Sequence, residues 1–274
     1  MISELADQDG RFSILAVDHR DSLRHFLRPD DPDSITPEEL TAMKIELVAG
    51  VADLATGVML EPEYSIPQVI DAGALPQGVG FLAALESQGY LDEPEKSPTA
   101  ILDGWSIEQA QASGAAAAKL LLAYRPDGRL AAEQERIGRE VVAACHAIGF
   151  AIAVEPLFYG LGPGDDRTAI VVETARRFAA MGPDLLKLPY PGTLSACEEI
   201  TDIAAMPWAI LSGGGSFDEF ADQLAVAAGA GCSGFMVGRA LWGEAVKASP
   251  TDRPAIITEL VRPRFARLRA INAR

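Results

Sequence analysis

Residues 116–156, AAAKLLLAYRPDGRLAAEQERIGREVVAACHAIGFAIAVEP, hold two apolar runs separated by a longer amphipathic stretch. The runs at 116–124 and 151–156 are almost continuously apolar, which is typical of parallel strands that are buried on both faces. Between them, residues 133–148 carry apolar side chains at helical spacing. A strand, a helix and another strand in this order predict a right-handed βαβ unit of a parallel sheet.

The same alternation extends along the whole chain. Further apolar runs predict strands at residues 12–18, 57–61, 79–85, 184–189, 208–212 and 234–238. Further amphipathic stretches predict helices at residues 38–53, 168–181 and 217–228. Eight strands alternating with helices in 274 residues are typical of a closed (β/α)8 barrel, the TIM barrel. We therefore predict an α/β protein with one TIM-barrel domain that spans residues 1–274.

A doubly wound open sheet is the alternative fold. Such a sheet favours a GxGxxG turn after the first strand, whereas this chain has DHRD there, at residues 18–21. No linker or shift in composition divides the chain, so we do not expect a second domain. Residues 92–98 and 161–167 are polar or rich in Gly and Pro, and they are predicted to be loops near a barrel active site.

The chain carries 39 acidic and 23 basic side chains, which give a net charge of −16. This acidity disfavours nucleic acid and anionic membranes as partners, although a local cluster of basic residues can still bind a small anion. Cys145, Cys197 and Cys232 show no CxxC spacing, which fits a reducing compartment better than a disulfide framework. Because no apolar run is long enough to cross a bilayer and the N-terminus has no signal-peptide pattern, we expect a cytoplasmic protein.

Ionisable side chains interrupt or follow most of the predicted strands. In barrels, the carboxyl ends of the strands meet at one mouth, where active sites lie. One such residue is usually part of a structural ion pair, but convergence from several strands favours a functional site. The residues are Asp18, Arg20, Glu61, Glu63, Lys119, Glu155 and Lys187.

Two of these residues are lysines inside apolar strands. Burial disfavours the charged form of Lys187, and a lysine that is neutral near neutral pH can attack a carbonyl to form a Schiff base. If Lys119 also points into the barrel, repulsion between the two ammonium groups favours a neutral amine. The alternatives are that Lys119 points out of the barrel and that the ammonium group of Lys187 reaches water. Glu155 and Asp18 are candidate acid/base groups, with ion pairs as the alternative for both.

Small residues follow the last two predicted strands. Ser212, Gly213 and Gly214 lie at the end of the seventh strand, and Gly238 and Arg239 lie at the end of the eighth. Backbone N–H groups of such glycines, together with the N-terminus of the next helix, bind phosphate in many barrels. The guanidinium adds bidentate recognition of the anion. Two tight turns and a surface arginine are the alternative interpretation.

The histidines and cysteines form none of the common zinc motifs. His19, His25 and His146 have no HxH or HExxH spacing, so zinc-dependent chemistry is not expected. A Mg²⁺ site needs only oxygen ligands, and the carboxylates at the strand ends could supply them. A Mg²⁺-dependent barrel lyase that acts on a keto acid is therefore the alternative enzyme.

Seven short motifs, in this order, resemble the class I, Schiff-base aldolases of the tagatose-1,6-bisphosphate aldolase and sulfofructosephosphate aldolase group. They cover nearly the whole chain and are AVDHR at 16–20, MLEPEY at 59–64, GWS at 104–106, KLLL at 119–122, VEP at 154–156, LK at 186–187 and GRALW at 238–242. The resemblance implies a TIM barrel that uses no metal or other cofactor.

The resemblance also implies cleavage of a phosphorylated ketose to dihydroxyacetone phosphate and an aldehyde. The ketose would be like tagatose or fructose 1,6-bisphosphate, or would be a 6-sulfo or 6-deoxy ketose 1-phosphate. Lys187 would form the Schiff base and Glu155 would be the acid/base, while Lys119, Asp18 and Arg20 would line the site. The small residues after the seventh and eighth strands would bind the phosphate of the dihydroxyacetone phosphate half.

Two positions depart from the pattern of that family. His19 stands where the family usually has Gln, and Leu188-Pro189 stands where it often has Val-Glu. Loss of the carboxylate could alter the distal end of the substrate or the acid/base arrangement, which leaves a non-catalytic sugar-phosphate-binding barrel as a further alternative. We expect a phosphorylated sugar as the partner, and apolar residues on the barrel helices are compatible with a homo-oligomer.

Overall fold

The computed structural model describes residues 1–87 and 97–273. Within them, eight parallel strands pair with their sequence neighbours, and the first pairs with the last, so that the sheet closes into a barrel. The strands are β1 (Phe12–Ala16), β2 (Gly57–Leu60), β3 (Gly80–Ala84), β4 (Ala117–Ala123), β5 (Ala151–Leu157), β6 (Leu185–Pro189), β7 (Trp208–Leu211) and β8 (Gly234–Val237). The TIM-barrel prediction is confirmed, and each predicted strand is found at its place.

Helices connect the strands and surround the barrel. They are α1 (Asp21–Leu27), α2 (Pro37–Val51), α3 (Ile66–Asp71), α4 (Ile107–Ala112), α5 (Ala131–Ala147), α6 (Arg167–Ala179), α7 (Leu194–Ile203), α8 (Phe217–Gly229), α9 (Arg239–Lys247), α10 (Arg253–Ile256) and α11 (Arg262–Asn272). Short 3-10 helices lie at Ile2–Leu5, Pro32–Ser34 and Ala52–Leu54, and a π-helical turn at Ile257–Val261 joins α10 to α11. The four predicted helices are confirmed as α2, α5, α6 and α8.

Local sequence explains where two of these helices begin. α2 starts at Pro37 after Thr36, whose hydroxyl accepts a hydrogen bond from the Glu39 N–H while the Glu39 carboxylate accepts one from the Thr36 N–H. Ser216 and Glu219 form the same capping box at the start of α8. Such caps satisfy N–H groups that would otherwise lack partners. The second cap fixes the start of α8 directly after the glycines that follow β7.

The pleat of the strands separates two apolar cores. One core fills the barrel and includes Ala117 of β4, whereas the other lies between the sheet and the helices and includes Leu120 of the same strand. Side chains two positions apart share a face, so Lys119 points into the barrel with Ala117. On β6, Leu185 belongs to the inner core, and the same alternation directs Lys187 inward. Both lysines therefore face the interior from strands on different sides of β5.

The amino-terminal end of the barrel is closed by the start of the chain. Leu5 is fully buried there, and a Cβ on Gly57 would lie only 2.7 Å from its Cδ2. None of the helices in the two described ranges is long and apolar enough to span a membrane. Residues 161–166 of one predicted loop are irregular chain between β5 and α6, whereas most of the other, 92–98, lies outside the described residues.

Candidate active site

A cavity of about 390 Å³ opens at the carboxyl ends of the strands. It brings together nine of the twelve candidate residues that the sequence analysis names, namely Asp18, Lys119, Glu155, Lys187, Ser212, Gly213, Gly214, Gly238 and Arg239. Leu121, Leu157, Phe158 and Tyr159 add a largely apolar wall from β4, from β5 and from the loop after β5. The other three candidates, Arg20, Glu61 and Glu63, are not part of this lining.

Lys187 and Glu155 contact each other in this cavity. Lys187 Nζ lies 2.9 Å from a carboxylate oxygen of Glu155 and 3.6 Å from the sulfur of Met59. The two residues are only 5% and 4% exposed. Since β5 and β6 are neighbours and both side chains point inward, the contact follows from the register of the barrel. An amine that can pass its proton to an adjacent carboxylate can act as a nucleophile.

Lys119 is surrounded by three carboxylates. Its Nζ lies 2.9 Å from Asp18, 2.7 Å from Glu86 and 3.0 Å from Glu155. These contacts compensate a charge that would otherwise be costly to bury. Burial alone would raise the pKa of Asp18, but the positive charges of Lys119 and Lys187 outweigh it and hold that pKa well below its usual range. Asp18 is therefore a carboxylate at physiological pH.

Glu86 is a member of the site that the sequence analysis did not identify. One of its carboxylate oxygens contacts Lys119, and the other accepts a 3.1 Å hydrogen bond from the Leu121 N–H. The side chain is 2% exposed, so it joins the ends of β3 and β4 inside the protein. The signal was present in the sequence, because Glu86 directly follows the third predicted strand, which ends at residue 85.

Arg20 contacts other protein groups rather than the cavity. Its guanidinium lies 2.6 Å from the Glu63 carboxylate and also donates to the backbone carbonyl oxygen of Glu86. Glu61 forms an ion pair with Lys44, and both of these side chains are buried. The polar residues at the end of β2 thus form structural ion pairs, and Arg20 supports the segment that holds Glu86.

The segments after β7 and β8 form a corner of the cavity with the properties of an anion site. We call it the anion corner, and its residues are Ser212, Gly213, Gly214, Gly238 and Arg239. Gly213 and Gly214 have positive φ angles of 58° and 80°, which non-glycine residues rarely adopt. A Cβ on Gly214 would lie 3.5 Å from Arg239 Nη2, so the guanidinium packs on this turn. Ser212 Oγ accepts a 3.4 Å hydrogen bond from the Gly238 N–H. Because α8 and α9 begin here, their N-terminal dipoles add to the positive charge.

The carboxylates near the cavity are paired with basic side chains. Asp18 and Glu155 contact Lys119, whereas Glu61 contacts Lys44. Among residues 1–87 and 97–273, no group of three or more His, Cys, Asp or Glu side chains is arranged to hold a metal ion. The carboxylates that would bind Mg²⁺ in the alternative enzyme therefore already neutralise buried ammonium groups.

Comparison with known proteins identifies the family. A family model described as DeoC/LacD family aldolase matches residues 12–244, which include every residue of the cavity lining. The chain belongs to the DeoC/LacD family of aldolases. A member of this family is a carbon–carbon lyase, and the Schiff-base aldolase resemblance seen in the sequence is confirmed at the level of the family.

Curated relatives carry the name tagatose 1,6-diphosphate aldolase. The protein of that name from Staphylococcus haemolyticus is 28% identical over 284 residues, covering 90% of this chain and 85% of the relative. The one from Streptococcus pneumoniae serotype 4 is 27% identical over 299 residues, covering 95% of this chain and 89% of the relative. The family member described here therefore aligns with these enzymes over nearly its whole length.

Solved structures share the barrel at lower sequence identity. A Corynebacterium glutamicum protein superposes with a TM-score of 0.71 at 20% identity, covering 97% of this chain and 87% of that chain. An archaeal fructose-1,6-bisphosphate aldolase, solved with its catalytic lysine covalently bound to a carbinolamine intermediate, gives a TM-score of 0.62 at 18% identity and covers 95% and 96% of the two chains. At these identities the likeness concerns the fold.

Proposed function

We propose that this aldolase cleaves a phosphorylated ketose to dihydroxyacetone phosphate and an aldehyde through a Schiff base on Lys187. The buried 2.9 Å contact between Lys187 and Glu155 carries the proposal, because it joins an amine to a proton acceptor beside a candidate anion site. The ketose is like tagatose or fructose 1,6-bisphosphate, or is a 6-sulfo or 6-deoxy ketose 1-phosphate. The names of the curated relatives support a phosphorylated ketose.

Glu155 prepares the nucleophile in the first step. Transfer of one proton from the Lys187 ammonium to the Glu155 carboxylate neutralises both groups and frees the lone pair of the amine. The amine adds to the C2 ketone, and a proton moves from nitrogen to oxygen to give a carbinolamine. Glu155 then returns its proton to the hydroxyl, which leaves as water. The product is an iminium ion on Lys187. The archaeal aldolase trapped as a carbinolamine supports this course.

The iminium accepts the electron pair of the C3–C4 bond in the second step. Glu155, again a carboxylate, removes the proton of the C4 hydroxyl, and C4 becomes the aldehyde carbon. The electron pair enters the iminium and leaves a neutral enamine. The enamine takes the proton back at C3, and water hydrolyses the resulting iminium. This releases dihydroxyacetone phosphate and restores Lys187.

Lys119 and the anion corner position the reacting groups. Lys119 holds Glu155 at 3.0 Å, and its charge stabilises that residue whenever it is a carboxylate. Arg239 and the glycine N–H groups after β7 bind the phosphate of the substrate. Anchoring the phosphate holds C2 close to the Lys187 amine, in the orientation that the addition step needs.

The replacement Lys187→Ala tests the proposal. We expect kcat for cleavage of the ketose phosphates named above to fall by at least roughly 10³-fold, because the amine that forms the iminium is lost. Binding of inorganic phosphate, measured by thermal stabilisation, should survive because the anion corner is intact. Lys247→Ala, which alters an exposed lysine at the end of α9, is the control and should keep full activity. Near-normal turnover by Lys187→Ala would contradict the mechanism.

A further inference from the structure

His19 lines the same cavity, and the mechanism above gives it no task. Its ring meets Trp242 edge-on, with the ring centroids 5.3 Å apart, and Trp242 donates a 3.1 Å hydrogen bond to the Ala16 carbonyl oxygen. The His19 ring also packs on Gly238, where a Cβ would lie 2.7 Å from Cε1. An anchored tryptophan and a glycine backbone therefore hold the imidazole in a fixed orientation beside the anion corner.

The hydrogen-bonding capacity of this ring is incompletely used. Nδ1 is buried and has no hydrogen-bond partner within the described part of the chain. The Asp18 carboxylate oxygen lies 3.7 Å from it, which is too long for a hydrogen bond. The side chain keeps 20% of its surface exposed, whereas Nδ1 itself is buried. Nε2 is therefore the ring nitrogen that a ligand in the cavity can reach.

The charges around His19 determine what kind of partner it takes. Burial, together with the positive charges of Arg239, Lys187 and Lys44, lowers the pKa of His19 to about 3 although Asp18 opposes the shift. The imidazole is therefore neutral, with one N–H donor and one acceptor nitrogen. The nearby carboxylate of Asp18 favours the proton on Nδ1, which leaves Nε2 as an acceptor. An acceptor nitrogen suits a hydroxyl group and does not suit a phosphate anion.

The donor half of the substrate offers one such group. Dihydroxyacetone phosphate carries a phosphate, a ketone oxygen and one hydroxyl. Under the proposed function, Arg239 binds the phosphate and Lys187 reacts at the ketone carbon, so the hydroxyl is the group left to the other polar side chains of the cavity, His19 among them. His19 lies in the cavity wall beside Gly238 and Arg239 on one side and Asp18 on the other.

We propose that His19 accepts a hydrogen bond from the C3 hydroxyl of the ketose and so selects donors that carry this hydroxyl. The inference rests on the proposed function and assigns a specificity-determining residue for it. Glutamine, which the resembling aldolases usually have at this position, also offers an acceptor atom in its side-chain amide. The replacement His19→Gln is therefore expected to preserve the preference, whereas His19→Ala is expected to remove it.

Two ketone phosphates that differ only in the hydroxyl test this inference. Borohydride inactivates an enzyme that has formed an iminium, so the concentration of ketone that gives half-maximal inactivation reports binding without any aldehyde. With dihydroxyacetone phosphate, we expect His19→Ala to raise this concentration roughly tenfold, as the loss of one hydrogen bond predicts. With acetol phosphate, which lacks the hydroxyl, we expect a change of less than about twofold.

Further variants separate this role from a structural one. His25→Ala removes an exposed histidine whose ring bonds to the Asp21 carbonyl oxygen, and it should leave both concentrations unchanged. His19→Gln should behave like the wild type with both ketones. Unchanged inactivation of His19→Ala by acetol phosphate would show that its loss with dihydroxyacetone phosphate does not come from misfolding. An equal rise for both ketones in His19→Ala, or no rise for either, would overturn the inference. Failure of both ketones to inactivate the wild-type protein would overturn the Schiff-base function and this inference together.

Discussion

Lys119 and Lys187 both point into the barrel, but their neighbours differ. Lys119 contacts three carboxylates, whereas Lys187 contacts only Glu155 and the sulfur of Met59 in the interactions described above. An ammonium held by three carboxylates is strongly stabilised in its charged form. Lys187, with one carboxylate and a thioether beside its Nζ, has fewer ionic contacts to give up when it bonds to a carbonyl carbon. The geometry therefore supports Lys187 as the nucleophile and Lys119 as the fixed charge.

The replacement Glu86→Gln tests how far Lys119 depends on its neighbours. We expect kcat to fall roughly 10- to 100-fold, the range typical of groups that orient a catalytic centre from outside it. The amide removes one negative charge from Lys119, whose position fixes Glu155. Steady-state kinetics give kcat and KM separately, and the loss should appear in kcat.

Glu63→Gln is the matched control for Glu86→Gln. Glu63 pairs with the buried Arg20, is itself exposed and does not line the cavity. Its replacement should change kcat by less than about threefold, because the amide oxygen of Gln can still accept a hydrogen bond from Arg20. Equal losses in the two variants would mean that Glu86 acts through the Arg20 segment and not through Lys119.

The site residues that sequence reasoning identified lie within a strand or directly after one. Lys119, Glu155 and Lys187 lie within apolar strands, so the alternation of the strand and the closure of the barrel bring them together. Arg20 could not be assigned in this way, because its partner Glu63 comes from the loop after a different strand. Whether Arg20 binds a ligand or forms an ion pair depends on a tertiary contact, and the sequence pattern does not show that contact.

At the scale of the elements, the apolar runs were sufficient to predict all the strands. Parallel strands buried on both faces leave a continuous apolar signal. Helices α1, α3 and α4 were not predicted, because they have only six or seven residues, fewer than two turns, and show no repeated periodicity. Long helices with many turns, such as α5, were predictable for the opposite reason.

At the scale of the elements, one prediction concerns the turn after β7. Gly213→Ala adds a Cβ at a φ of 58°, where 3.7 Å of space separates it from Leu211 Cδ1. The added methyl group has room, but the left-handed conformation costs an alanine about 1–2 kcal/mol. We expect the turn to relax away from its present geometry, so that the backbone N–H groups no longer converge on the anion. Inhibition by inorganic phosphate should weaken roughly tenfold, as the loss of one charge-assisted hydrogen bond predicts.

Gly149→Ala is the control for this turn. Gly149 has a φ of 68° and open space around its Cβ position, and it lies between α5 and β5 at the amino-terminal end of the barrel. The same backbone strain should lower the thermal stability of both variants to a similar degree. Only Gly213→Ala should lose phosphate affinity. A similar loss in Gly149→Ala would attribute the effect to general destabilisation and contradict the anion site.

For the whole molecule, closure of the barrel gathers basic side chains that the net charge does not reveal. The net charge is −16, yet Lys119, Lys187 and Arg239 line one cavity. The overall charge disfavours nucleic acid as a partner, but it could not locate a pocket for a small anion. Closure of the sheet is what brings these residues from β4, β6 and the segment after β8 to one place.

The central claim is that Lys187 forms the Schiff base, and one measurement tests it most directly. The protein is incubated with dihydroxyacetone phosphate, reduced with borohydride and digested, and the peptides are analysed by mass spectrometry. The account predicts a reduced three-carbon phosphate adduct on Lys187, within the β6 peptide, and no adduct in Lys187→Ala. An adduct on Lys119 or another lysine, or a folded protein with no adduct, would contradict the account.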